Sequence, residues 1–154
     1  RKILAESGLG RDDPFPGADG TSVCDVMLAP TTIYVEAVRP LLRDMQVKGM
    51  AHITGGGFYD NIPRVLPAQV KVHIAFDSWE KPAVFPWLQQ AGNLTWPEML
   101  QIFNCGIGYV LILPTEQAEE AVSRIRAFRL AAWPIGKIVR RSRDDAEEQV
   151  FVEF

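Results

Sequence analysis

The sequence predicts an α+β fold, an α/β layered sandwich in which helices pack on a mixed β-sheet. Three observations predict it. Apolar residues alternate between period two and period 3.6 along the chain, so strand and helix signals take turns. Proline or glycine punctuates most changes of period. The last two strand-like runs follow one another without a helix between them, which asks for at least one antiparallel edge. The chain has 154 residues, of which 47% are hydrophobic and 23% charged, a composition that suits one compact domain. A chain of this size buries roughly 68–70% of its unfolded surface and needs no covalent staple.

Residues 1–7 read as the last turns of a helix stopped by Gly8. Residues 8–20, rich in Gly, Pro and Asp, form a loop at the long end for a structureless connection. Residues 21–28 start a strand or a short helix, and Pro30 ends it. Ile33, Tyr34 and Val35 are β-prone. A helical face then follows in Val38, Leu41, Leu42 and Met45, with Pro40 confined to the first turn or marking a kink. Thr31 is a candidate cap for that helix, with Glu36 early in it. Residues 50–54 are a short strand that runs into Gly55, Gly56 and Gly57, and residues 58–66 make one or two helical turns before Pro67. Val70, Val72, Ile74 and Phe76 alternate with Lys71, His73 and Ala75, a half-buried strand that leaves His73 exposed.

The next helix opens at residues 78–82, with Val84, Phe85, Leu88 and Ala91 inward and Gly92 as its stop. Thr95 caps another: Pro97 sits early, Glu98 completes a capping box, and Met99, Ile102 and Phe103 face inward. Residues 107–113 are the most strand-like run. Thr115 caps a further helix whose early Glu116, Glu119 and Glu120 and late Arg124, Arg126 and Arg129 suit the helix dipole. Residues 132–139 and 150–154 are strands, and residues 140–148 a solvated, charged hairpin tip. The expected order is β-α-β-α-β-α-α-β-α-β-β. Residues 1–20 are helix end and loop, 21–139 the core, and 140–154 the charged turn and terminal strand of a single domain.

Composition also excludes functions. A net charge of −3 argues against a nucleic-acid partner. No apolar run approaches the ~20 residues that span a bilayer, so no membrane partner is expected. Two cysteines, Cys24 and Cys105, and two histidines suggest neither a disulfide framework nor a metal site, and a reduced, cytoplasmic setting is the simpler reading. Cys105 has no basic neighbour in sequence to activate it as a nucleophile. Trp79, Trp87, Trp96 and Trp133 are core or ligand-lining bulk, since no basic residues interleave them. The chain opens on Arg1 within a helical pattern, so a longer parent is expected.

Three segments could carry chemistry. Three glycines between a strand and a helix, Gly55 to Gly57, leave backbone N–H groups unshielded at a helix start, a phosphate cradle that Arg64 and Thr54 could complete. The other reading is a tight turn that needs positive φ. His52 is either a strand histidine satisfied by hydrogen bonds or a reacting group, and Asn61 either a cap or surface residue or a ligand contact. In the second segment, residues 103–109, Asn104 could offer an amide, while Gly106 and Gly108 could equally serve a helix stop and close packing. The third, residues 28–35, holds Thr31 and Tyr34.

Taken together, LAPTTIYVEAV, AHITGGGFYDNIPRVLP, WEKPAVFPWLQQAGN, EMLQIFNCGIGYVLILP and WPIGKIV resemble the carboxy-terminal domain of the phosphoribosylformylglycinamidine cyclo-ligase (aminoimidazole ribonucleotide synthetase) family. The resemblance runs from about residue 3 to residue 139, in order. Selenophosphate synthetase, thiamine monophosphate kinase and formylglycinamidine synthase share the fold but not this full set.

The resemblance implies an ATP-dependent ligase of purine (IMP) biosynthesis. ATP phosphorylates the formyl amide oxygen of formylglycinamidine ribonucleotide. The amidine nitrogen then closes the ring, giving aminoimidazole ribonucleotide, ADP and phosphate. It further implies that ATP and Mg²⁺ are held mainly by an amino-terminal domain that is this chain's partner and forms most of a homodimer, so that this chain alone is inactive. Carried onto this sequence, His52 is the catalytic candidate. Thr54, Gly55, Gly56, Gly57, Asn61 and Arg64 bind substrate or phosphate, and Thr31, Tyr34 and Asn104 are further contacts. Thr32 and Glu36 stand where basic residues are frequent in the family, so a basic contact at that helix start does not carry over, and Asp60 replaces the usual Glu. The alternative is a non-catalytic module of the same fold that binds nucleotide phosphate or regulates.

Overall fold

The computed structural model describes residues 1–142 and 148–154. Seven helices and five strands occur among them: α1 (Lys2–Glu6), α2 (Val23–Met27), α3 (Val35–Asp44), β1 (Gly49–His52), α4 (Gly57–Asn61), β2 (Val70–Ala75), α5 (Val84–Ala91), α6 (Trp96–Ile102), β3 (Tyr109–Ile112), α7 (Ala118–Ala127), β4 (Gly136–Arg140) and β5 (Val150–Glu153). The class is α+β, as the sequence predicts. The sheet, however, is two sheets. β1 pairs antiparallel with β3, from Gly49 opposite Ile112 to His52 opposite Tyr109. β2 lies between β4, antiparallel, and β5, parallel. The expected hairpin between the last two strands therefore does not form: both find β2 instead, one on each edge. The charged segment expected at its tip falls partly on residues 143–147, outside the described residues.

Most local signals act as read. Ser22 accepts the N–H of Asp25, whose carboxylate returns to the Ser22 N–H, and this capping box makes residues 23–27 a helix rather than a strand. Thr95 and Glu98 repeat the device at α6. At both caps the hydrogen bonds hold the carboxyl below its ordinary range.

Other elements depart from expectation. Residues 31–34 form no strand, and Ile33 is 79% exposed. Thr31 is not the cap of α3: the helix starts at Val35, and Tyr34 holds the cap position without a side-chain hydrogen bond. Pro40 sits in the middle of α3, where its missing N–H leaves unpaired only the carbonyl of Glu36, an exposed residue. Leu42 and Ile102 are each 48% exposed and Ala91 is exposed too, not inward. Thr115 begins a 3-10 turn rather than capping α7, and Arg129 lies beyond that helix at φ 62°. β4 begins at Gly136 rather than 132, because Pro134 lacks a ladder donor. His73 is half-buried, with Nε2 buried and unpartnered and its ring 5.0 Å from Phe151.

Two apolar clusters hold the molecule. The larger joins Ile53, Phe58, Ile62, Ile74, Trp79, Met99, Leu100 and Cys105; the smaller joins Leu41, Met45 and Ala121. The β1–β3 ribbon is the wall between them: Ala51 and Val110 face the first, Leu111 the second. Arg124 ties α7 to α3 through Asp44 at 2.9 Å and to Glu120 at 2.6 Å. Replacing Thr95 with Ala should remove the α6 cap, cost about 1 kcal/mol and lower Tm by roughly 2–4 °C in a thermal melt, with the fold intact by circular dichroism.

Candidate functional site

β1 ends at His52, and the chain turns at once through Gly55–Gly57 into α4. Three glycines stand in this turn for different reasons. Gly56 has φ 90°, and a Cβ on it would lie 2.6 Å from the Asp60 Cβ. Gly57 has φ 55° and is buried against the end of α6, where a Cβ would overlap the Leu100 carbonyl and stand 2.9 Å from that of Phe103. Backbone geometry accounts for both. Gly55 has no positive φ, nothing lies within 4 Å of where its Cβ would be, and it is exposed. The fold of this chain does not require glycine there.

Asn61 fixes the turn from beneath. It is 4% exposed, and its Nδ2 donates to the carbonyls of Gly57 at 2.8 Å, Gly55 at 3.3 Å and Thr54 at 3.4 Å. It is therefore neither cap nor surface, and its amide nitrogen is spent on the loop rather than facing solvent. The Gly57 N–H closes the turn on the Thr54 carbonyl at 3.0 Å, so Gly57 leaves the cradle expected of all three glycines. The N–H groups of Gly55 and Gly56 donate to no acceptor among the described residues.

The second loop packs beside the first. Asn104 Oδ1 accepts the Gly106 N–H at 3.1 Å, and its carbonyl accepts that of Ile107 at 2.9 Å. Cys105 is held at φ 46°, fully buried, with its carbonyl bonded by the Trp79 indole at 2.9 Å. Burial pushes its thiol up to about 12, against a smaller opposing influence from Lys81. The sequence's reading of an unreactive thiol matches this environment. Gly108 then bonds through its carbonyl to the Ile53 N–H at 2.9 Å, joining the two loops across the ribbon.

Around His52 the rings of Tyr34 and Tyr109 stand 6.1 and 6.0 Å away, and 5.1 Å from each other. His52 and Thr54 are exposed, Tyr34 and Asn104 half-buried. The structure thus brings Tyr34 beside His52, with Thr54, Gly55 and Gly56 following His52 into the turn and Thr31 on the exposed stretch leading to Tyr34; Asn104 lies on the neighbouring loop. Arg64 is exposed on the 3-10 turn that follows α4, and the carbonyl of the next residue, Val65, lies 3.7 Å from the Cβ position of Gly49 at the start of β1.

Tyr109 was not singled out in the sequence; its register opposite His52 is the signal that finds it. Two grooves, of about 650 and 590 Å³, lie elsewhere and are lined by none of these residues. Among the described residues no group of three His, Cys, Asp or Glu side chains could hold a metal ion. No helix among them is long and apolar enough to cross a membrane.

The sequence model of the family described as AIR synthase related protein, C-terminal domain, matches residues 1–148. The chain belongs to this family. Curated relatives agree. Phosphoribosylformylglycinamidine cyclo-ligases of Nitratidesulfovibrio vulgaris and Oleidesulfovibrio alaskensis are 60% and 58% identical over 100% of this chain, which covers 43% of each. That of Citrifermentans bemidjiense is 48% identical over 91% of this chain and 40% of its own length. The chain thus spans less than half the length of the curated relatives it matches.

Two outcomes follow from the site's geometry. Gly55→Ala should leave thermal stability unchanged, whereas Gly56→Ala and Gly57→Ala should each cost roughly 1–3 kcal/mol or more from forced positive φ and overlap. Folded protein should react with a thiol reagent at Cys24, which is partly exposed, and not at Cys105. Because the folded Cys105 thiol keeps its proton longer than the unfolded one, its contribution to stability is fully present below pH 9 and is lost as pH rises from 9.0 toward about 12. Chemical denaturation at pH 8, 9.5 and 10.5 reads that decline, which Cys105→Ala should flatten.

Proposed function

We propose that this chain is the carboxy-terminal part of an ATP-dependent phosphoribosylformylglycinamidine cyclo-ligase, converting formylglycinamidine ribonucleotide to aminoimidazole ribonucleotide with release of ADP and phosphate. The observation that carries the reading is identity of up to 60%, across the whole chain, to relatives bearing that name. The open face supports it. A reactive phosphorylated amide must be shielded from water, and an exposed His52 beside an exposed glycine turn needs a second wall to do so. Ile33 and Val35, which flank Tyr34 in the chain and are 79% and 66% exposed, are apolar surface of the kind such a wall covers. In this reading the wall is the amino-terminal part, which holds ATP and Mg²⁺ and forms most of a homodimer in the cytoplasm.

On this face the Gly55 and Gly56 N–H groups hold a substrate phosphate, with Thr54 adding a hydroxyl. His52 moves a proton at an imidazole nitrogen as the ring closes. Asn104 and Thr31 border the substrate. Arg64 adds its guanidinium to the phosphate, and Asn61 serves by shaping the turn.

The test joins this chain to the remaining sequence of the Nitratidesulfovibrio relative and follows formation of aminoimidazole ribonucleotide. The joined protein should turn over and the chain alone should not. His52→Ala should lower kcat/KM by about 100-fold or more, the usual worth of a positioned proton-transfer group. Turnover by the chain alone, or an unaffected His52→Ala protein, would refute the respective claim.

A further inference from the structure

Nothing in its own backbone explains why residue 108 is glycine. Gly108 has no positive φ, yet a Cβ there would fall on the hydroxyl oxygen of Tyr34, with the ring's Cζ at 3.1 Å and Cε2 at 3.7 Å. The space a side chain would fill is taken by the tip of Tyr34. Tyr34 is the residue from which α3 starts, and its side chain makes no capping bond there; its ring is turned instead onto the β1–β3 ribbon. Gly108 is in turn pinned to the residue after His52, through the Ile53 N–H.

His52 makes no hydrogen bond to any described residue through its imidazole, and it ends its strand exposed. What surrounds the ring is aromatic. Tyr34 stands edge to face at 66°, and Tyr109, its partner in register, lies tilted at 35°. Both separations fall in the range where aromatic rings prefer defined mutual orientations. An exposed imidazole with no hydrogen bond otherwise samples several rotamers.

We propose that Tyr34 is a positioning residue rather than a substrate contact: seated with the tip of its ring over Gly108, that ring sets the orientation of the His52 imidazole at the open face. The proposal deepens the reading of His52 as the proton-transfer group and rests on it for its catalytic consequence. A group held in one orientation reacts without first being sorted from unproductive ones. Gly108 is then the residue that makes the arrangement possible, and Tyr109 is the second side of the brace.

The experiment reads the His52 imidazole carbon-bound proton resonances by NMR in the chain described here, with His73 on the other sheet as internal control. Gly108→Ala pushes the Tyr34 ring away, so the His52 resonances should shift while those of His73 stay. Adding Tyr34→Phe removes the overlapping oxygen and leaves the nearest ring atom at 3.1 Å, so the double variant should return them toward the parent values. Tyr34→Leu should shift them with Gly108 intact. Unchanged His52 resonances in Tyr34→Leu overturn the proposal, and this arm stands even where Gly108→Ala does not fold. Failure of Tyr34→Phe to restore a folded Gly108→Ala protein overturns it as well.

In the joined, active protein Tyr34→Leu should lower kcat about tenfold with KM little changed, and Tyr34→Phe should stay near parent. A KM effect without a kcat effect makes Tyr34 a substrate contact and overturns the positioning role. A His52→Ala protein with full turnover overturns the underlying role of His52 instead, and leaves the resonance test to be judged on its own.

Discussion

The approach of the glycine turn to the end of α6 is the contact on which the rest of the molecule depends. Gly57 lies so close to the Leu100 and Phe103 carbonyls that no side chain fits between them. That proximity seats Phe58 in the core, fully buried, with its ring 5.7 Å from Trp79. Trp79 in turn bonds the Cys105 carbonyl, so the turn, α6 and the loop after it are one packed unit. Asn61 stabilises the same unit from within, by hydrogen-bonding the carbonyls of Gly57, Gly55 and Thr54 across the turn. Because its nitrogen carries only two protons for three carbonyls, the short bond to Gly57 dominates and the other two share.

That unit explains why the candidate chemistry sits at an edge. The ribbon of β1 and β3 passes between the two apolar clusters, and where it leaves them His52 and Tyr109 emerge with no helix to cover them. A strand end delivers a side chain to solvent at a position set by the ladder behind it, and the glycine turn delivers backbone N–H groups beside it. Neither group depends on the chain's overall charge. A net charge of −3 does not oppose binding of an anion whose contacts are local N–H dipoles. Cys105 lies close by in sequence but belongs to the core; burial keeps its proton in place and removes it from the chemistry.

The same physics separates residues with superficially equal claims. Gly55, Gly56 and Gly57 look alike in the sequence, yet one is constrained by packing, one by φ, and one by neither. Asn61 and Asn104 are both polar residues near a turn. The first has its amide nitrogen occupied and the second uses its oxygen in a local turn. Membership of the family therefore fixes which segments meet, while the role of each residue follows from what its atoms already bond.

By itself the sequence determined the α+β class, the capping box at Thr95, the helix stops and most strand positions, since these rest on contacts within a few residues. It also determined the family, through motifs in unbroken order. Pairing was not legible, because apolar alternation makes a strand without naming its partner. Only the packed structure decided that β4 and β5 both take β2, and that the ribbon forms a separate sheet. Inward and outward faces slipped at Leu42, Ala91 and Ile102 for a related reason: an apolar residue is buried only where another element arrives to cover it. The site divides in the same way. The glycine turn and His52 were visible as local signals, whereas the ring of Tyr34 over Gly108 and Tyr109 opposite His52 join residues distant in sequence, and tertiary packing alone sets those distances.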